Sequence, residues 1–135
     1  MQVDTQRFLE LTEKAGTVVF LDIEATGLRG DYNSVLCVSL KPFGKEAYTY
    51  AVEKPGNDKR VVKEVKQELL KYDVVVTYYG KGFDWKMINT RLLRWQSEPL
   101  KKMLHIDMFF TLGHHLLTAR RSQAHLLDWL QIDST

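Results

Sequence analysis

The sequence is short of everything that would hold it together covalently or fix it in a membrane. Its 135 residues contain one cysteine, Cys37, so no intramolecular disulfide is possible. Cys37 sits in the apolar run 35–38 and reads as a buried core thiol of a protein kept in a reducing compartment, which sets a cytoplasmic expectation. Three prolines and eight glycines leave no Pro/Gly-rich linker, and there is no low-complexity segment or internal repeat. No apolar run approaches the ~20 residues of a membrane span. Residues 1–10 lack the basic flank and apolar core of a signal peptide. Nor is there a large excess of one charge, since 19 Lys/Arg stand against 17 Asp/Glu for a net +2. What is present, 44% hydrophobic and 27% charged residues, is the mixture of one globular domain large enough to bury its own core.

The near-neutral total hides a gradient. Residues 1–70 carry 10 Lys/Arg and 11 Asp/Glu, whereas residues 71–135 carry 9 and 6. Within 81–121, eight basic residues (among them Lys81, Lys86, Arg91, Arg120 and Arg121) face three acids. Such a segment either forms solvated helix surfaces or meets nucleic-acid phosphates.

Hydrophobic periodicity predicts a helix over 3–14, a buried β-branched strand over 17–24, and a turn region over 26–33. Strands over 34–40 and 47–52 flank the loop 41–45 and read as an antiparallel hairpin. A helix follows over 58–72, with Val62, Val65 and Leu69 inward, then a short buried strand over 73–77. Beyond a turn containing Gly80 and Gly82, the pattern predicts a helix over 84–95 and a fifth strand over 104–107. Two last helices, over 109–119 and 123–130, follow, with Ser122 as N-cap of the second. A meander followed by alternating elements predicts an α/β fold, a mixed five-stranded sheet flanked by helices.

Two places carry chemistry. In Asp22-Ile23-Glu24 the two acids are two apart on a strand and so share a face with Val18 and Phe20. Two adjacent carboxylates repel and lose hydration on partial burial, a combination that folding alone does not favour. A divalent cation relieves both penalties, and carboxylate oxygens suit Mg²⁺ or Mn²⁺. Asp84, after the strand–glycine–turn segment 74–83, is either an ordinary helix cap or the third carboxylate of that site. Tyr78, Tyr79, Phe83 and Trp85 surround it, placed to pack in the rim or to stack on the bases of a single strand. The four histidines, His105, His114, His115 and His125, do not have zinc-site spacing, because the adjacent pair points to different faces.

Asp22-Ile23-Glu24-Ala25-Thr26-Gly27-Leu28 resembles the first motif of the DEDD 3′–5′ exonuclease superfamily, whose fold is RNase H-like. Tyr79-Gly80-Lys81-Gly82-Phe83-Asp84, with Ile88-Asn89 and Arg91 after it, resembles the second, and 105–109 is similar to the strand before the third. The chain looks most like the stand-alone RNase H-like exonucleases of that superfamily, over about residues 17–130. The resemblance implies that Asp22, Glu24 and Asp84 are catalytic metal ligands for two Mg²⁺ or Mn²⁺ ions. Ala25, Thr26, Gly27 and Leu28 would line the terminal-nucleotide pocket, and Lys81, Phe83 and Arg91 would add to nucleic-acid binding. Asp107 matches a family position that is structural.

One feature departs from the family pattern. A fourth acidic ligand is expected late in the domain, four residues after a Tyr or five after a His, and no acid stands at either spacing; only Asp128 and Asp133 remain. The expectation is thus of a single nuclease domain, residues 1–135, lacking the C-terminal part that carries that ligand. Its activity would be two-metal, 3′–5′ hydrolysis of single-stranded DNA or RNA. The alternatives are a catalytically impaired nucleic-acid-binding or interaction module, or a partial domain whose last acid comes from a missing segment, a second copy or a partner chain.

Overall fold

The structure, a computed structural model, describes residue 10 and residues 17–133. The helix expected over 3–14 lies outside the described residues apart from Glu10, which is helical. Five strands, β1 (Val18–Ala25), β2 (Val35–Pro42), β3 (Tyr48–Ala51), β4 (Val74–Thr77) and β5 (Leu104–Asp107), form one sheet in the order β3-β2-β1-β4-β5. β2 is antiparallel to β1 and to β3, while β1, β4 and β5 run parallel. Beyond Glu10, the helices among the described residues are α1 (Lys59–Glu68), α2 (Asp84–Arg94), α3 (Met108–His115) and α4 (Gln123–Trp129). The mixed five-stranded α/β fold expected from the sequence is therefore the one observed. None of the described helices is long and apolar enough to cross a membrane.

The core lies on one face of the sheet. Val19, Leu21 and Ile23 of β1, Val38 and Leu40 of β2 and Val75 of β4 pack against Val61, Val62 and Val65 of α1 and Met87, Ile88 and Leu92 of α2. Each fully buried aliphatic side chain contributes about 1.5–3 kcal/mol. The reading of β1 as a buried strand holds for one face only: its alternation is half-buried, and the face of Phe20, Asp22 and Glu24 is open. Cys37 pairs with Glu24 across β1–β2 and is only half-buried, so it is not the core thiol expected. Register explains it, because directly opposed residues of an antiparallel pair share a face.

Two helix ends also differ from the pattern. The helix expected to reach Tyr72 ends at Glu68 and tightens into a 3-10 turn, Leu69–Lys71, that buries Leu69. The helix expected to reach Ala119 stops at His115, and Leu116 is already extended. Both ends are local events that an amphipathic pattern does not register. Ser122 caps α4 as expected, its hydroxyl accepting the His125 N–H at 3.3 Å.

Candidate active site

β1 is the strand where the sheet changes sense. Its pairing with β4 ends at Phe20↔Val76, while its pairing with β2 runs on to Ala25↔Val35. Asp22 and Glu24 thus sit on a stretch of β1 that has outrun its parallel neighbour. Ligand sites in open α/β sheets favour this location, beyond the carboxyl ends of strands where the order switches. β4 leads through a turn into α2, whose first residue is Asp84; the Asp84 Oδ2 accepts the Ile23 N–H at 3.2 Å. A side chain from the following helix thereby takes the place of the missing strand partner. Sequence left Asp84 between helix cap and site carboxylate, and the structure bonds it to β1 at Ile23, the residue between the two acids in the chain.

The electrostatics follow from that geometry. Asp84 is 5% exposed, and burial together with the neighbouring charge of Asp22 pushes its carboxyl up to about 6. Asp22 is raised by partial desolvation of the cleft it lines and then by Glu24. The cleft, about 320 Å³, is bounded by Phe20, Asp22, Ser39, Thr77, Met108 and Gln123. Among the described residues the three ion pairs lie elsewhere, so no cation compensates Asp22, Glu24 or Asp84. The donor set is all carboxylate oxygen, partly desolvated and mutually repelling, which fits a hard divalent cation. Among the described residues no three His, Cys, Asp or Glu side chains are closed into a ready-made cage. Asp22 and Glu24 are exposed.

The first-motif loop is shaped by short contacts. Ala25 lies at an irregularity of the β1–β2 register. The Thr26 N–H donates to the Ser34 carbonyl (2.9 Å), and its hydroxyl accepts the Ser34 N–H (3.0 Å), closing the loop base. A Cβ on Gly27 would stand 2.5 Å from the Asn33 side chain and would have to displace its amide. Leu28 is 77% exposed and shares a cleft of about 340 Å³ with Phe83 and Lys86. Lys81 extends into solvent, and its backbone N–H donates to Asp107 (3.0 Å).

Arg91 corrects the sequence reading. Expected to meet nucleic acid, it is 7% exposed, with Nε 2.8 Å and Nη2 3.0 Å from the carboxylate of Asp58, and Nη1 donating to the Gly30 carbonyl at 3.0 Å. The cause is helical phase, since Arg91 lies on the same face of α2 as Ile88 and Leu92. Asp58 also accepts from the Val35 N–H and the Trp95 indole N–H, and these bonds, chiefly those from Arg91, outweigh its burial and hold its carboxyl below the usual range. Sequence reasoning missed Asp58; its partners lie 23 to 37 residues away, and no local pattern joins them. Asp107 is structural as expected, accepting the N–H groups of Tyr79, Lys81 and Phe109. Of the aromatics, Trp85 lies against His105 with the rings tilted and Phe83 packs at the core edge, while Tyr78 and Tyr79 join Phe109 and Phe110, a pair the sequence did not flag.

A mixed sheet in this order, with carboxylates gathered at the carboxyl ends of its parallel strands, defines an RNase H-like α/β domain. The chain belongs to the RNase_H superfamily, whose family model matches residues 19–133. Over 117 residues it is 31% identical to YprB, an uncharacterized protein of Bacillus subtilis (strain 168), a match that covers 81% of this chain and 26% of that protein. Its fold is similar to that of the family B DNA polymerase from the hyperthermophilic archaeon Pyrobaculum calidifontis, with a TM-score of 0.64 and 17% identity over 84% of this chain and 18% of the polymerase. The chain thus spans about a quarter of the length of the curated relative it matches. Members of the superfamily are as a rule nucleases that use divalent metal ions.

Proposed function

We propose that this chain is a metal-dependent nuclease domain of the DEDD kind that hydrolyses phosphodiester bonds from the 3′ end of single-stranded DNA or RNA. The observation that carries the reading is the delivery of Asp84 to the unpaired edge of β1, onto the N–H of Ile23 next to Asp22 and Glu24 in the chain, with no ion pair among the described residues to compensate the three. Asp22, Glu24 and Asp84 would hold two Mg²⁺ or Mn²⁺ ions. Bound there, such ions supply the Lewis acidity that activates water and offsets charge on the leaving oxygen. The chain's own contribution is positional. The Ile23 N–H fixes one Asp84 oxygen, and the closed loop after β1 sets the Leu28 rim where a terminal nucleotide would lie. Asp22→Asn should abolish Mn²⁺-dependent shortening of a 3′-labelled single strand while the circular dichroism spectrum stays unchanged; full activity in that variant would overturn the assignment.

One observation favours a second reading. Asp128 and Asp133, the only acids late in the chain, line a cleft of about 450 Å³ that meets the Asp22 cleft at Gln123 but does not include Asp22. With three carboxylates alone the domain would bind nucleic acid without cutting it, or be completed by another segment or chain. Calorimetric titration with Mn²⁺ separates the readings: heat that disappears in Asp84→Asn supports the nuclease, and none supports the binding module.

A further inference from the structure

The cleft of Asp22 does not end at the carboxylates. Tyr78 and Gln123 line it and also line a second, shallower cleft of about 540 Å³ with Tyr79, Phe109, Phe110 and Arg121. Phe109 is the keel of this second surface. It meets the rings of Tyr78, Tyr79 and Phe110 edge-on at centroid distances of 6.0, 4.8 and 5.2 Å, and the Arg121 guanidinium lies 4.2 Å over it. Tyr79 and Phe110 are the outward members. Their rings are inclined by only 31° to each other, and they are 45% and 41% exposed. A folded domain does not gain from leaving two rings so presented.

Their placement is maintained at a cost. Tyr79 has φ 62°, the left-handed region that a bulky aromatic residue rarely occupies. It is held there by Asp107, which accepts its N–H at 2.7 Å, and by Gly82 and Phe83, whose N–H groups donate to its carbonyl. On the other side, the Tyr78 hydroxyl donates to the Arg121 carbonyl and anchors the segment that carries the guanidinium. Gly113 lies against the Arg121 guanidinium, so a Cβ there would displace the end of that side chain. The lining holds a cation and no anion.

We propose that this aromatic shelf is a stacking platform for the unpaired bases of the strand whose 3′ end enters the Asp22 cleft, with Arg121 facing the phosphates. The proposal rests on the nuclease reading for its polarity. The chemistry selects single-stranded nucleic acid: exposed π-faces stack on any base, the one charge matches a phosphate, and the shared wall of Tyr78 and Gln123 makes shelf and cleft continuous. A duplex keeps its bases stacked internally and offers none to the rings.

Fluorescence anisotropy with labelled 12-mers of dT and U, in EDTA so that nothing is cut, tests the shelf without the hydrolytic step. Wild type should bind both single strands and bind a duplex of the same length more weakly. Tyr79→Asn suits the left-handed backbone and so should fold as well as wild type, yet weaken binding by roughly tenfold or more. Phe110→Ala should do the same at unchanged far-ultraviolet circular dichroism. Single-strand affinity unaltered in both variants, or a duplex bound as tightly as the single strand, overturns the proposal. So does a concentration-dependent dimer that Phe110→Ala dissolves while neither 12-mer binds, since the shelf would then be a contact between copies. Hydrolysis that survives Asp22→Asn while Tyr79→Asn still weakens binding would remove the nuclease reading alone.

Discussion

Asp84 concentrates the conflict between stability and function in one side chain. It is buried, faces Asp22, and has its carboxyl pushed up to about 6, so above that pH the fold carries an ionised group it does not favour. Asp84→Asn keeps an oxygen to accept the Ile23 N–H and removes the charge. The variant should therefore unfold at higher temperature than wild type at pH 7.5 in EDTA, by on the order of 1 kcal/mol in stability. Addition of Mn²⁺ should raise the melting temperature of wild type and leave that of the variant nearly unchanged. Differential scanning fluorimetry in the four conditions reads both effects, and a variant less stable than wild type in EDTA would contradict the argument. This residue was half legible in sequence. The motif spacing flagged it, but a helix-opening Asp is equally a cap, and the 3.2 Å bond to β1 appears only in the folded chain.

At the scale of elements, the pair Asp58–Arg91 ties α2 and the first turn of α1 to the loop after β1. Arg91 bonds the Gly30 carbonyl, and Asp58 bonds the Val35 N–H at the start of β2. Arg91→Leu strands a fully buried carboxylate and should cost about 3 kcal/mol or more in urea denaturation. The same pair sets an acid limit. The folded-state pKa of Asp58 lies below its unfolded value of 3.8, so its stabilisation is complete above that value and is lost as pH falls through the lower, folded one. Wild type should lose stability steeply below about pH 3.8, whereas an Asp58→Asn variant, already weakened, should show a flatter acid limb in pH-dependent thermal melts. None of this was readable from local pattern, which placed Arg91 in a basic segment expected to meet nucleic acid. An arginine on the inner face of a helix needs a carboxylate, and that carboxylate is 33 residues away.

The whole molecule divides its sheet between two tasks. One face carries the aliphatic core under α1 and α2, while the other opens along β1 and β2 toward Asp22, Glu24 and the aromatic shelf. Binding should therefore be electrostatically modest, since the net charge is only +2 and Arg91 is spent internally. The logarithm of affinity for a single-stranded 12-mer should fall with the logarithm of salt with a slope of roughly −1 to −3, far shallower than for a protein with 6–10 phosphate contacts. A slope beyond about −5 in anisotropy titrations would mean that phosphates, not stacked bases, dominate.

The sequence by itself determined the order of elements, the α/β class, the hairpin of β2 and β3 and the family motif, because periodicity, turn residues and an Asp-x-Glu on a strand are local. It read β1 as a buried strand, and only the packing of α1 and α2 on Val19, Leu21 and Ile23 shows that the Phe20 face stays open. It could not turn Arg91 inward, bring Asp84 across to Ile23, or gather Tyr79, Phe110 and Arg121 on one surface. Each of these is a contact between residues distant in the chain, and such contacts exist only once the backbone is folded.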